Sequence, residues 1–136
     1  MKALEDALYD LLSKDSTLTD YVPGGVYNTV ADKTSGAYLL FQKVASPAPG
    51  YTYTRQVDET YLYQVRIIAP GYDKDNILNA LAQVRSLLNL QALTVADHTH
   101  WRTTWAGDLP DMAEKDAAGT TWVQVGAQYR IELAGG

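Results

Sequence analysis

Residues 60–90 read TYLYQVRIIAPGYDKDNILNALAQVRSLLNL, and this passage decides the fold. From Tyr61 to Ala69 the pattern alternates: Tyr61, Tyr63, Val65, Ile67 and Ala69 fall on one face of a strand. After Pro70-Gly71 the apolar period lengthens to about 3.6, with Ile77, Leu78, Leu81, Val84, Leu87 and Leu88 on one side of a helix. Proline cannot continue the strand ladder and glycine loosens the chain, so the change of period falls at a turn. A strand that feeds directly into a covering helix predicts a sheet with helices packed against it, and nothing in the passage supplies chemistry.

Working outward, Tyr38-Leu-Leu-Phe-Gln-Lys-Val44 is apolar, aromatic and short, which predicts a strand buried on at least one face and paired with residues 59–69. Between the two, Ser46 to Gln56 contains Pro47 and Pro49, so a long hairpin with a projecting tip is expected, Tyr51 to Val57 being able to extend. Lys2 to Lys14 carries Leu4, Ala7, Leu8, Leu11 and Leu12 on one stripe. Glu5 and Asp6 lie near its start and Lys14 at its end, as the helix dipole favours. Asp15 to Asp20 suits a short helical turn, ended by Val22-Pro-Gly-Gly25, and Val26 to Val30 a short edge segment.

Leu93 to Trp105 alternates again. So does Thr120 to Leu133, which puts Val123, Val125, Ala127, Tyr129, Ile131 and Leu133 on one face. The expectation is a single α+β domain over residues 1–136, an antiparallel sheet of about four main strands with two helices packed on one face. The other sheet face would carry Leu62, Gln64, Arg66 and Ile68 with Trp122, Gln124, Gln128 and Arg130. That mixture suits a subunit contact, the alternative being a wet but adhesive face.

Composition narrows the function. A chain of 136 residues buries about two thirds of its unfolded surface and needs no staples. With no cysteine, disulfides, thiolate catalysis and Cys-ligated metals are excluded. No apolar run approaches the ~20 residues of a membrane span, and the acids at Glu5 and Asp6 are unlike a signal peptide, so a soluble cytoplasmic chain is expected. A formal charge of −5 with scattered Lys and Arg opposes nucleic-acid binding. The charged cluster Asp108, Asp111, Glu114 and Asp116, with Lys115, lies between Gly107 and Gly119 and reads as a solvated loop.

His98 and His100 fall on the same side of a strand, which could serve a metal if a carboxylate joined them, but two ligands are insufficient. Trp101 and Trp105 beside them suit a sheet surface. No serine sits in a Gly-x-Ser-x-Gly elbow and no phosphate-binding glycine loop is present, so neither a catalytic residue nor a cofactor is expected. The ten tyrosines admit two readings. Tyr51, Tyr53, Tyr61 and Tyr63 reflect either β preference or a hairpin lying on a neighbouring subunit, where tyrosine gives broad contact at low entropy cost.

Together the leading helix Leu4 to Leu12, Gly25-Val26-Tyr27, the strand Tyr38 to Val44, the strand and helix Tyr61 to Leu90 and the closing Tyr129-Arg-Ile-Glu-Leu133 resemble the tail terminator, or tail completion, proteins of long-tailed bacteriophages. Asp97 to Gly119 departs from that pattern. The resemblance implies a non-enzymatic virion protein, assembled in the bacterial cytoplasm into a ring, usually of six subunits. Such a ring caps the head-proximal end of the tail tube, ends tube growth and meets the head connector, while DNA passes through the lumen. Its partners would be other copies, the tail tube protein and a connector or stopper protein.

Candidate contact residues are Tyr51, Tyr53 and Arg55 on the hairpin; Leu62, Arg66, Trp122 and Arg130 on the second sheet face; and Asp108, Asp111, Glu114 and Asp116 in the acidic segment. A head-side completion or stopper protein is the nearest alternative, and a small metal-dependent enzyme built on His98 and His100 a more distant one.

Overall fold

A computed structural model describes residues 2–31, 36–45, 59–71 and 74–134. The chain forms helix α1 (Lys2–Lys14), helix α2 (Ser16–Tyr21), strands β1 (Val26–Asn28), β2 (Tyr38–Ala45) and β3 (Glu59–Pro70), helix α3 (Lys74–Leu88), and strands β4 (Thr99–Lys115) and β5 (Thr121–Ala134). In α1, Leu4, Leu8 and Leu12 recur every four residues and are buried, so the stripe lies on the sheet. Asp15 separates α1 from α2: its carboxylate accepts the Leu18 amide at 2.8 Å and caps the second helix.

The strand order is β1-β2-β3-β5-β4, with β1 parallel to β2 and every other neighbour antiparallel. The expected α+β fold with helices on one face of the sheet holds, and the short turn after Asp15 and the short edge segment at Val26 are α2 and β1. The fold differs from an antiparallel sheet of about four main strands with two helices in that the sheet has five strands, is mixed, and carries three helices. β1 is only three residues long, too short for periodicity to reveal its direction, and α2 is a single capped turn and a half. The predicted pairing of β2 with β3 holds, Leu39 facing Ile67 and Phe41 facing Val65. Both β3 and β4 run antiparallel to β5, hence parallel to each other, and α3 carries the chain between them across β5, against which it packs.

One core forms between helices and sheet. Leu4, Leu8, Leu12, Leu18, Ile77, Ala80, Val84 and Leu88 meet Leu39, Phe41, Tyr63, Val65, Ile67, Val125, Ala127, Tyr129, Ile131 and Leu133. The alternation in β3 and β5 therefore places the predicted residues inward. The stripe of α3 is narrower than expected: Leu78 is 42% exposed, because a row rising from Ile77 through Ala80 and Val84 to Leu88 leaves position 78 to one side.

A second correction concerns the acidic segment. Residues 107–115 are not a loop but the second half of β4, and only Asp116 to Thr120 make the turn into β5. Register shifts at Trp105/Gly107 and Leu109/Met112 absorb the glycine and Pro110. β4 pairs on one side alone, so a residue without an N–H is tolerated at this edge.

Candidate interaction surfaces

All three helices lie on one side of the sheet, and among the described residues no element covers the other. Register builds that open face row by row. Tyr38, Ile68, Gln124 and Met112 form one row, Leu40, Arg66, Gly126 and Leu109 the next, then Gln42, Gln64, Gln128 and Gly107. Beyond them Leu62 faces Arg130, which faces Thr104, and at the far end Pro70 faces Trp122, which faces Glu114. Thus Leu62, Arg66, Trp122 and Arg130 do share one surface.

Sequence reasoning missed the contribution of other strands. Tyr38 on β2 and Trp122 on β5 lean toward each other across β3 to a ring-centroid separation of 6.3 Å, and Tyr27 meets Tyr38 edge to face at 6.0 Å. Beneath these rings Ile68 is only 4% exposed, although no helix lies above it. The signal available was the unbroken apolar run Tyr38 to Phe41. In an alternating strand such a run must offer Tyr38 and Leu40 to the side opposite Leu39 and Phe41. Gly126 makes room here: a Cβ would lie 3.0 Å from Leu109 Cδ1 and 3.2 Å from Arg66 Cγ, so these side chains close over bare backbone. Arg66 Nη1 reaches Met112 Sδ at 3.8 Å.

The acidic candidates have different positions. Asp108 lies on β4 and accepts from the Trp105 indole at 3.2 Å. Asp111 sits within the second register shift, and Glu114 stands opposite Trp122. Asp116 is consumed by the hairpin turn, where its Oδ1 accepts the amides of Ala118 at 2.9 Å and Thr120 at 3.0 Å and its Oδ2 the Trp122 indole at 2.9 Å. Those donors, the indole first, hold its carboxyl below the usual carboxylate range. Tyr51, Tyr53 and Arg55 lie outside the described residues.

His98 and His100 are not a pair on one strand face. His98 precedes β4, with Nδ1 2.8 Å from the Ala96 carbonyl and Nε2 3.9 Å from Glu59. The His100 ring receives the Leu93 amide on Nδ1 at 3.3 Å, which places the proton on Nε2, 2.7 Å from Thr103 Oγ1. Both nitrogens are thereby occupied in tying the α3–β4 connection to the strand, and burial pushes the imidazole below its ordinary range. Among the described residues no three His, Asp or Glu side chains gather as a metal site would require.

A groove of about 550 Å³ between α1 and the end of α3 is lined by Ala7, Asp10, Leu11, Lys14, Leu87 and Leu93. Asp10 and Lys14 pair with each other at 3.8 Å, and Asp15 and Thr94 complete the groove's polar lining.

A family model described as tail completion protein gp17 matches residues 6–131. No curated protein matches the chain. Among solved structures, a chain of the virion of native gene transfer agent (GTA) particle superposes with a TM-score of 0.72 at 19% identity, over 98% of this chain and 96% of that one. A second solved chain has a TM-score of 0.60 at 14% identity, over 96% of this chain and 94% of that one. At these identities the two likenesses speak to the fold.

Proposed function

The chain belongs to the tail completion protein gp17 family, a family of phage tail structural proteins, and from that premise we propose that six copies close into a ring capping the head-proximal end of the tail tube. The observation that carries the reading is the open sheet face. A surface whose one end gathers Tyr27, Tyr38 and Trp122, with Leu40 and Met112 beside Arg66, Arg130 and a row of three glutamines, is a mixed aromatic and polar face of the kind that marks a contact between folded subunits.

The action is steric, with no chemical step. One ring face reproduces enough of the tube subunit's contact surface to seat on the last tube ring. The opposite face presents no further tube-binding site, so growth ends there and the head connector can dock. DNA threads the lumen without specific contact, and a chain of net charge −5 repels a phosphate backbone rather than gripping it.

Electron microscopy of phage lacking the gene tests the reading. Overlong tails without heads are expected. Tails of normal length beside unjoined heads would overturn it in favour of a head-side completion or stopper protein.

A further inference from the structure

A ring is held by a heterologous contact, in which one patch of each copy meets a different patch of the next. Two features at opposite edges of this sheet have the form of such a pair. On one side, a cleft of about 190 Å³ opens between α3 and the β4–β5 ribbon. It is lined by Leu78, Leu81, Arg85, Trp105, Ala127 and Tyr129, with Ala82 and Asp108 at its rim. That volume is below the roughly 300 Å³ at which small-molecule pockets begin, and suits a side chain.

The walls of the cleft are held in place. The Arg85 guanidinium lies 4.1 Å over the Trp105 ring, and the Trp105 amide donates to Asn89 Oδ1 at 2.9 Å. Tyr129, 1% exposed, lines the same cleft, and its hydroxyl has no hydrogen-bond partner among the described residues.

At the other edge, β1 ends in a strained turn. Thr29 has φ of +68°, and the Val30 amide donates to the Asn28 carbonyl across it at 2.7 Å, the rare γ-turn of positive φ. A β-branched residue in this region is held against its preference. Val30 stands out from the surface, 71% exposed, while beside it the Thr29 hydroxyl donates to Asn28 Oδ1 at 3.0 Å and the Asn28 side-chain amide to Glu5 at 2.9 Å. On the neighbouring strand Lys43 and Val44 are exposed as well, a cation and an apolar group facing outward, while the far edge carries Asp108, Asp111 and Glu114.

We propose that the Thr29–Val30 turn of one copy seats in the α3/β4–β5 cleft of the next, Val30 filling the space beside Trp105 and Tyr129. Lys43 then faces the acidic β4 edge. The two features are four strand spacings apart, roughly 19 Å at about 4.8 Å each, so the turn cannot reach its own cleft. The contact is therefore between copies and directional, and it propagates until the circle closes. This inference rests on the ring reading above and specifies which surfaces would build the ring.

The chain has no cysteine, so engineered thiols report the contact cleanly. The double variant Val30→Cys/Ala82→Cys, oxidised at assembly concentration with and without purified tail tubes, should give a ladder of covalent oligomers ending at the ring. Either single variant should give no covalent dimer, because a directional contact never brings like positions together. Light scattering of the unoxidised sample reports the ring independently. A ring-sized mass without the Val30–Ala82 cross-link, or dimers from a single variant, would overturn the proposed contact and leave the ring standing. Monomer mass and no cross-link even on tube ends would overturn the ring reading, and this contact with it.

Discussion

The indole of Trp122 and the carboxylate of Asp116 close the tip of the β4–β5 hairpin, Nε1 donating to Oδ2 at 2.9 Å across the turn. The same carboxylate receives two backbone amides on its other oxygen, so one charge organises both the turn and the aromatic end of the open face. Because its folded pKa is depressed, the contribution is present above the ordinary carboxylate range and is lost as pH falls through the lower folded value. Acid titration should therefore shift the Trp122 indole N–H resonance only below the pH at which free aspartate protonates. Asp116→Asn should shift that resonance at neutral pH and abolish its titration; an unchanged titration would remove Asp116 from this role.

Gly126 sits in the middle of β5, a strand flanked on both sides, by β3 and β4. An added methyl would approach the Val65 carbonyl oxygen to 2.7 Å, and backbone cannot swing away as a long side chain can. Gly126→Ala is expected to destabilise by about 1–3 kcal/mol, the usual range for overpacking. Urea denaturation of the variant would measure it, and a neutral result would show that β3 and β5 can part locally.

The parts of this fold that the sequence made legible are those where one period runs uninterrupted. β3 and β5 qualify, and their inward residues were recoverable one by one, whereas in α3 the apolar stripe took in the exposed Leu78 and passed over the buried Ala80. β4 was half hidden because Gly107, Pro110 and the acids around them have the composition of a loop. Their tolerance in a strand depends on lying at an unpaired edge, which only sheet order reveals. The open face was recoverable for β3 and β5, but Tyr27, Tyr38, Leu109 and Met112 join it through pairings remote in sequence. The Val30 turn and the cleft it is proposed to fill carry no motif: one depends on a backbone angle, the other on the gap between a helix and a ribbon.

Arg130 is exposed on the open face, opposite Leu62. Arg130→Glu is expected to change folding stability by no more than about 0.5 kcal/mol, as for most surface substitutions. If this face is a subunit or tube contact, the variant should lose assembly while melting like the parent. Sedimentation with tail tubes, run beside thermal melts, checks both; assembly at parental strength would assign the contact elsewhere.

His100 predicts an acid-side loss of its own. Burial holds the imidazole neutral in the fold, whereas in the unfolded chain it takes up a proton near 6.5. The unfolded state thus binds more protons as pH drops below that value, and stability declines from there down to the folded pKa. His100→Gln, which offers an amide where the ring stood, should flatten the stability profile between pH 7 and 5.5. Urea melts across that interval are the check, and an identical slope in the variant would mean that the ring protonates freely in place.

Tyr63 gives the opposite sign at alkaline pH. Its ring is buried under the helices, its hydroxyl has no partner among the described residues, and burial first of all pushes its ionisation well above the ordinary range. Tyr61 and Tyr129 are pushed up to about 12 for the same leading reason. In the unfolded chain these phenols ionise near 10, so the folded state is favoured fully below that pH and loses ground as pH rises from 10 toward 12. Tyr63→Phe removes one contributor and deletes an unsatisfied buried group. The variant should be more stable than the parent at neutral pH by about 1 kcal/mol. Its stability should also fall less steeply between pH 9.5 and 11. A loss of stability at neutral pH would mean that the hydroxyl has a hydrogen-bond partner in solution.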